Sequence, residues 1–251
     1  MPFNNMRILL TGGSGGLGVL IMDHLLADGA QVTVLDRVAP PRPVPFIQAD
    51  LSTPDGLEAA ASKLSSQDWD ILINLAGIQH FGPVEAQDPA HLMASYLVNL
   101  VAPVRLAQAV LPSMKARKSG QIVNIGSVFG AINFAHFATY SSAKAGLFGF
   151  SQALRRETVD SGICITHIAP RAVRTALNTP SVMAFAALTQ MNMDEPAEIA
   201  VRIVQAIRSR KKDVYFGYPE SIFVRLNAIL PRLVDRALSA NDRKAARLFN
   251  S

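Results

Sequence analysis

Short apolar runs rich in Val, Ile and Leu alternate along this chain with stretches whose apolar positions recur every three or four residues. The runs predict strands at residues 7–11, 31–36, 45–49, 70–75, 120–126, 163–168 and 213–216, and the periodic stretches predict helices at 16–28, 54–66, 90–115, 140–160 and 196–209. Continuously apolar strands are buried on both faces, and their alternation with helices implies a parallel sheet covered on both sides. The expected fold is α/β, a doubly wound parallel sheet of about seven strands that binds its ligand outside the strand carboxyl ends. No repeat or low-complexity linker divides the chain, so one domain is expected over 1–251, with 218–251 as a helical C-terminal extension. The proline-rich segment 40–45 reads as a stiff surface connection.

The first strand runs into Thr11-Gly12-Gly13-Ser14-Gly15-Gly16-Leu17-Gly18 and then a helix. Glycines allow positive φ and close backbone approach, and a helix amino terminus offers free N–H groups and a positive dipole to a phosphate. Strand before and helix after are the context in which such a loop binds a dinucleotide. The second strand ends on Asp36, an acid that suits ribose hydroxyls and repels a 2′-phosphate. NAD is therefore the preferred cofactor. NADP stays open because Arg37 could pair with that phosphate.

Composition narrows the class. Apolar residues make up 49% of 251, enough for a sizeable core. The single cysteine, Cys164, excludes an internal disulfide, fits a reducing compartment and reads as a buried strand residue rather than a nucleophile. No secretory pattern opens the chain and no uninterrupted apolar run reaches the roughly 18 residues that span a bilayer, so a cytoplasmic protein is expected. No metal is expected. The net charge of +5 is concentrated from Arg202 onward, where cations alternate with apolar residues at helical spacing. A solvated helix face is favoured there, a lipid-facing surface is second, and nucleic acid is not expected without an aromatic platform.

Tyr140 and Lys144 stand one helical turn apart, and Ser127 precedes Tyr140 by thirteen residues. A phenol titrates near 10, and a neighbouring cation lowers that value, so the pair could tune a proton donor.

With these residues in order, the chain resembles the short-chain dehydrogenase/reductase family from Thr11 to about Phe216. The landmarks are Thr11, Gly12, Gly16 and Gly18; Asp50-Leu51; Asn74-Leu75-Ala76-Gly77; Asn99; Ser127; and Tyr140 with Lys144. The resemblance implies a Rossmann-like fold and an NAD(P)-dependent oxidoreductase acting on an alcohol or ketone. In it, Tyr140 exchanges a proton with the substrate oxygen, Ser127 holds that oxygen, and Lys144 lowers the Tyr140 pKa and binds the nicotinamide ribose. Asn99 completes a proton relay through a water on its carbonyl. Pro103, lacking an N–H, either frees that carbonyl or merely kinks the helix. Cofactor contacts are implied for Thr11, Gly12, Ser14, Gly16, Leu17, Gly18, Asp36, Arg37, Asp50, Leu51, Asn74, Ala76, Gly77, Tyr140, Lys144, Pro170, Val173 and Thr175. Arg171 stands where the family has glycine. It reads as a salt-bridged surface residue, with capture of a substrate carboxylate as the second reading.

Residues 128–137 and 176–193 are apolar, aromatic or Met-rich and should shape a pocket for a hydrophobic substrate. His136 reads as a loop residue. The extension carries an apolar stripe through Ile222, Phe223, Leu226, Ile229 and Leu230, then Leu233, Val234, Ala237 and Leu238. A packed helical cover is expected, with peripheral membrane contact second. The resemblance implies a homodimer or homotetramer. The competing function is a non-catalytic dinucleotide-binding sensor or scaffold of the same fold.

Overall fold

The structure is a computed structural model that describes residues 2–249; Asn250 and Ser251, the end of the expected extension, lie outside the described residues. Seven strands, β1 (Arg7–Thr11), β2 (Gln31–Asp36), β3 (Phe46–Gln48), β4 (Ile71–Asn74), β5 (Gly120–Ile125), β6 (Ile163–Ala169) and β7 (Asp213–Tyr215), form one sheet in the order β3-β2-β1-β4-β5-β6-β7. Every pairing is parallel. The chain winds outward from β1 to β3 and then resumes on the other side of β1 at β4. That reversal opens a crevice beyond the carboxyl ends of β1 and β4, where Thr11 is in register with both Leu35 and Asn74.

Alternation along the strands divides the core into two layers. Ile8 and Leu10 of β1 pack with Ile21 and Met22 of α1 (Gly16–Ala27) and Ile203 and Ile207 of α7 (Pro196–Arg208). Leu9 points the other way, into a layer with Leu57 and Leu64 of α2 (Pro54–Ser65) and Leu106 and Val110 of α4 (Ala102–Arg117). Leu154 of α5 (Ala138–Glu157) joins this second layer. Both α2 and α3 (Pro89–Tyr96) begin with a side-chain cap, Thr53 and Asp88, followed by proline in the first turn.

The expected helix 90–115 is α3 and α4 joined by a π-turn, Leu97–Val101. Together they make 29 helical residues, Pro89–Arg117, long and apolar enough by composition to cross a membrane. Leu106, Val110 and Met114 of this helix are buried against the sheet. The helix α6 (Pro180–Thr189) was not expected, because its apolar residues lack a one-sided stripe; it forms with Thr179 as cap and Pro180 in the first turn. Cys164 is only half-buried, with its thiol toward the Arg210 carbonyl, because it lies near the start of β6 and not in the sheet centre. The extension forms α8 (Glu220–Ile229) and α9 (Pro231–Ala246), broken at Leu230. As expected, they form a cover. Val234 packs on Val128 and Ile132, and Ala245 joins an aromatic cluster of Phe129, Phe137, Tyr140 and Phe185.

Candidate active site

The glycine loop turns tightly between β1 and α1. Gly12 sits at φ +70°, and its N–H donates to the Leu35 carbonyl at 2.9 Å. Gly18 packs so closely on the loop that a Cβ would stand 2.2 Å from the Gly12 oxygen. Glycine is thus required at both positions, one for conformation and one for approach. The loop and the α1 amino terminus border a cavity of about 900 Å³. Asp36, at the end of β2, accepts a hydrogen bond from the Ser14 N–H at 3.0 Å and one from the Arg37 N–H at 2.7 Å, so the carboxylate edges the glycine loop. Asp50, another wall residue, is held below the usual carboxylate range by hydrogen bonds from the Ser52 hydroxyl and N–H.

The far end of the same cavity carries Ser127, Tyr140 and Lys144. Ser127 follows β5 and its Oγ accepts the Phe129 N–H at 3.1 Å, which leaves its own proton free to donate. Tyr140 and Lys144 lie one turn apart on α5, both buried. Lys144 Nζ donates to the Ile125 carbonyl at 3.0 Å, and it stands 5.7 Å from the Tyr140 ring centroid. The expected tuning of Tyr140 by Lys144 does not hold in this state. Burial pushes the Tyr140 phenol up to about 12, against a smaller opposing effect of the Ser127 hydroxyl. Burial also brings Lys144 down to about 8. Lys144 Nζ bonds the Ile125 carbonyl rather than the phenol, so desolvation decides both shifts.

Asn99 is fully buried in the π-turn behind this end. Its Nδ2 donates to the carbonyls of Ile78 at 2.7 Å and Ser95 at 2.9 Å, and its Oδ1 accepts the Ile78 N–H at 3.3 Å. Pro103 has no N–H for the Asn99 carbonyl, and the ladder is re-spaced so that Ala102 donates to Leu97.

Most of the expected cofactor residues meet in the cavity wall: Gly12, Ser14, Gly16, Leu17, Gly18, Asp36, Arg37, Asp50, Leu51, Ala76, Gly77, Tyr140, Lys144, Pro170, Val173 and Thr175. Thr11 and Asn74 do not. The Thr11 hydroxyl accepts the N–H groups of Leu75 and Ala76 at 3.0 and 3.1 Å, pinning β1 to the loop after β4. Asn74 Nδ2 donates to Asn124 Oδ1 at 2.9 Å inside the sheet. Both point along the sheet because their strand ends are in register. They brace the crevice and do not line it.

Arg171 keeps a φ outside the left-handed region, so the missing glycine costs no strain here. Its guanidinium pairs with Asp194 at 2.6 Å and Glu220 at 3.2 Å, which bears out the salt-bridged reading. The pair with Asp194 joins the loop after β6 to the segment after α6, where Val173 and Asp194 form a parallel bridge. Sequence reading missed Gln79 and His91, which also line the cavity. Gln79 Nε2 donates to the Leu177 carbonyl at 2.8 Å, a contact 98 residues apart that no local pattern announces.

The family profile described as short chain dehydrogenase matches residues 6–184. The chain belongs to the short-chain dehydrogenase family. This short-chain dehydrogenase is 30% identical to the ketoacyl reductase HetN of Nostoc sp., over 91% of this chain and 86% of that protein. Among solved structures, it is similar to 4-hydroxyisoleucine dehydrogenase complexed with NADH, with a TM-score of 0.75 and 26% identity over 85% of this chain and 97% of that one. A Sphingobium yanoikuyae short-chain dehydrogenase in complex with NADPH gives a TM-score of 0.77 and 26% identity over 92% and 95%. The membership makes this chain an oxidoreductase by family.

Proposed function

We propose that this short-chain dehydrogenase interconverts a secondary alcohol and a ketone on an apolar substrate, with a nicotinamide dinucleotide as redox partner. One observation carries the reading: Ser127, Tyr140 and Lys144 line the same cavity as the glycine loop. The loop fits the pyrophosphate of a dinucleotide, since Gly12 and Gly18 leave a bare backbone cradle at a helix amino terminus. Gly12, Ser14 and Leu17 would hold the phosphates, and Asp36 the adenosine ribose. Asp50 and Leu51 would border the adenine, and Val173 and Thr175 the carboxamide. When bound, the dinucleotide supplies the hydride acceptor or donor. NAD is preferred over NADP because the Asp36 carboxylate would face a 2′-phosphate.

Tyr140 passes its phenolic proton to a ketone oxygen, or takes one from an alcohol. Ser127 donates its free proton to the same oxygen and fixes it in place. Lys144 sits deep in the site and is half-charged near pH 8. Its ammonium would stabilise the phenolate left as the phenol gives up its proton. The Asn99 carbonyl, freed by Pro103 of an i+4 donor, is the proposed anchor of a water that links Lys144 to solvent. The substrate end is closed by Phe129, Phe137, Val182, Ala186 and Met191, a wall suited to an apolar body beside the reacting carbon. Intact proton-transfer residues favour an enzyme over a sensor. Homo-oligomer formation is proposed through the outer face of α4 and α5, where Val104, Leu111 and Phe150 line an open groove.

The test is absorbance of reduced nicotinamide with a panel of apolar alcohols and ketones, run with NAD and with NADP. Turnover that disappears in Tyr140→Phe while dinucleotide binding persists supports the reading. No turnover across the panel with either dinucleotide, despite tight binding of one, favours the sensor.

A further inference from the structure

The elbow between α8 and α9 is built unlike the rest of the surface. Of the sixteen large apolar side chains exposed on the described residues, six fall within Tyr218–Leu233: Tyr218, Ile222, Phe223, Ile229, Leu230 and Leu233, at 41 to 77% exposure. The other ten are distributed from Met6 to Val201. Single exposed apolar residues are ordinary; a contiguous set marks an interaction surface. Ile222 and Ile229 stand seven residues, about two turns, apart on one face of α8, with the exposed Arg225 on the same face, and Leu230 and Leu233 continue the exposed set past the break. The face of α8 turned to the body is occupied: Val224 packs in the cluster with Val128, Ile132 and Val234, and Asn227 bonds the Ala131 carbonyl.

Charge decides the occupant. From Tyr218 to Phe249 there are six cations, three of them Arg225, Arg232 and Arg236, and three acids, Glu220, Asp235 and Asp242, a net +3. Arg225, Arg232 and Arg236 are exposed and form no salt bridge among the described residues. Glu220 is already paired with Arg171, which it shares with Asp194. Two short helices with an apolar side, an aromatic at the edge and unpaired arginines suit a surface that is apolar within and anionic at its boundary. A second copy of this chain would bring the same arginines against themselves.

We propose that the α8–α9 elbow is a peripheral docking site for an anionic lipid bilayer. Ile222, Phe223, Ile229, Leu230 and Leu233 enter the acyl boundary, and Arg225, Arg232 and Arg236 meet lipid phosphates. The elbow also adjoins the catalytic end: Asn227 Nδ2 donates to the Ala131 carbonyl at 2.8 Å, in the segment that follows Ser127. Docking there brings the apolar end of the active-site cavity toward the membrane. The docking itself does not depend on the proposed reaction.

Flotation of the purified chain with phosphatidylcholine vesicles, with and without phosphatidylserine, tests this at low and high salt. The expected result is binding to the anionic vesicles that weakens in high salt, and that falls at least about tenfold in the triple variant Ile229→Ser, Leu230→Ser, Leu233→Ser. The double variant Arg225→Gln, Arg232→Gln loses the dependence on phosphatidylserine. All these side chains are exposed, and an unchanged thermal midpoint confirms that the fold survives. Absence of binding to anionic vesicles at low salt overturns the proposal, as does equal binding of the triple variant. A triple variant that instead loses oligomer mass without vesicles assigns the elbow to a second copy and overturns it too.

Discussion

Lys144 Nζ lies 5.7 Å from the Tyr140 ring centroid, yet its hydrogen bond goes to the Ile125 carbonyl at 3.0 Å. The two groups therefore do not satisfy each other in this state, and each is shifted toward its neutral form by burial. The folded pKa of Lys144, about 8, lies below its unfolded value of 10.5. The penalty is present in full below pH 8 and is relieved as pH rises toward 10.5. Holding the ammonium in place costs about 3 kcal/mol at pH 7 on that difference. Lys144→Met should thus lose turnover while becoming more stable at pH 7, by about 1–3 kcal/mol after the lost hydrogen bond is subtracted. Chemical denaturation beside an activity assay reads both. A Met variant less stable than the parent would mean that the lysine is not strained by burial.

Gly18 and Gly16 are two residues apart and make opposite demands. A Cβ on Gly18 would meet the Gly12 oxygen at 2.2 Å and the Gly13 Cα at 2.8 Å, both backbone. A Cβ on Gly16 meets nothing within 4 Å. Gly18→Ala must move the loop, so dinucleotide affinity should fall at least about tenfold, with about 1–3 kcal/mol lost in stability. Gly16→Ala should leave the thermal midpoint unchanged or raised. Titration with each dinucleotide and a thermal melt distinguish the two, and equal effects would remove the close-approach argument.

The loop also shows how far sequence reading reached. The glycines, Asp36, Ser127, Tyr140 and Lys144 were legible because each sits at a fixed offset from a strand end or along one helix. The parallel sheet covered on both faces was legible from its continuously apolar strands, Ile8-Leu9-Leu10 among them, whereas the strand order came only with the structure. Thr11 and Asn74 were misplaced in the cofactor wall. Their spacing put them near the crevice, but cross-strand register turned their side chains onto Leu75, Ala76 and Asn124. The opposite shifts of Tyr140 and Lys144 were illegible for a similar reason. Burial of Tyr140 depends on Phe129, Phe137 and the distant Ala245 packing with it, a tertiary fact with no local signature. The Arg171 pairing with Asp194 and Glu220 likewise joins segments that only the fold brings together.

The proposed preference for NAD rests on Asp36. Its Oδ2 accepts the Ser14 N–H and its Oδ1 the Arg37 N–H, so both oxygens are fixed at the cavity edge. Asp36→Ser removes the negative charge that would oppose a 2′-phosphate and leaves Arg37 beside it. The ratio of kcat/KM for NAD over NADP should fall by about tenfold or more, mainly through KM. Kinetics with both dinucleotides measure it. A parent enzyme that already prefers NADP would reverse the assignment.

His167 lends the fold a second pH dependence. It lies on β6, almost fully buried, with its ring 4.9 Å from Phe148 and against Gly126, whose Cβ would touch its Nε2. Neither ring nitrogen has a hydrogen-bond partner among the described residues. Burial is the main cause that brings its pKa down from 6.5 to about 4; Asp213 pulls the other way, and Lys144 and Arg155 add to the drop. Below pH 4 both folded and unfolded chains hold the proton, and above pH 6.5 neither does. Between those values the unfolded chain binds more protons, so stability falls as pH falls through the window. The loss attributable to this residue is about 3 kcal/mol. His167→Gln has no titrating group there and should remove that part of the slope, leaving the carboxylate contribution common to both proteins. Denaturant midpoints from pH 7 to pH 4 for the parent and variant give the difference directly. Parallel curves would mean that His167 finds a proton partner on acidification and that the cavity around it opens.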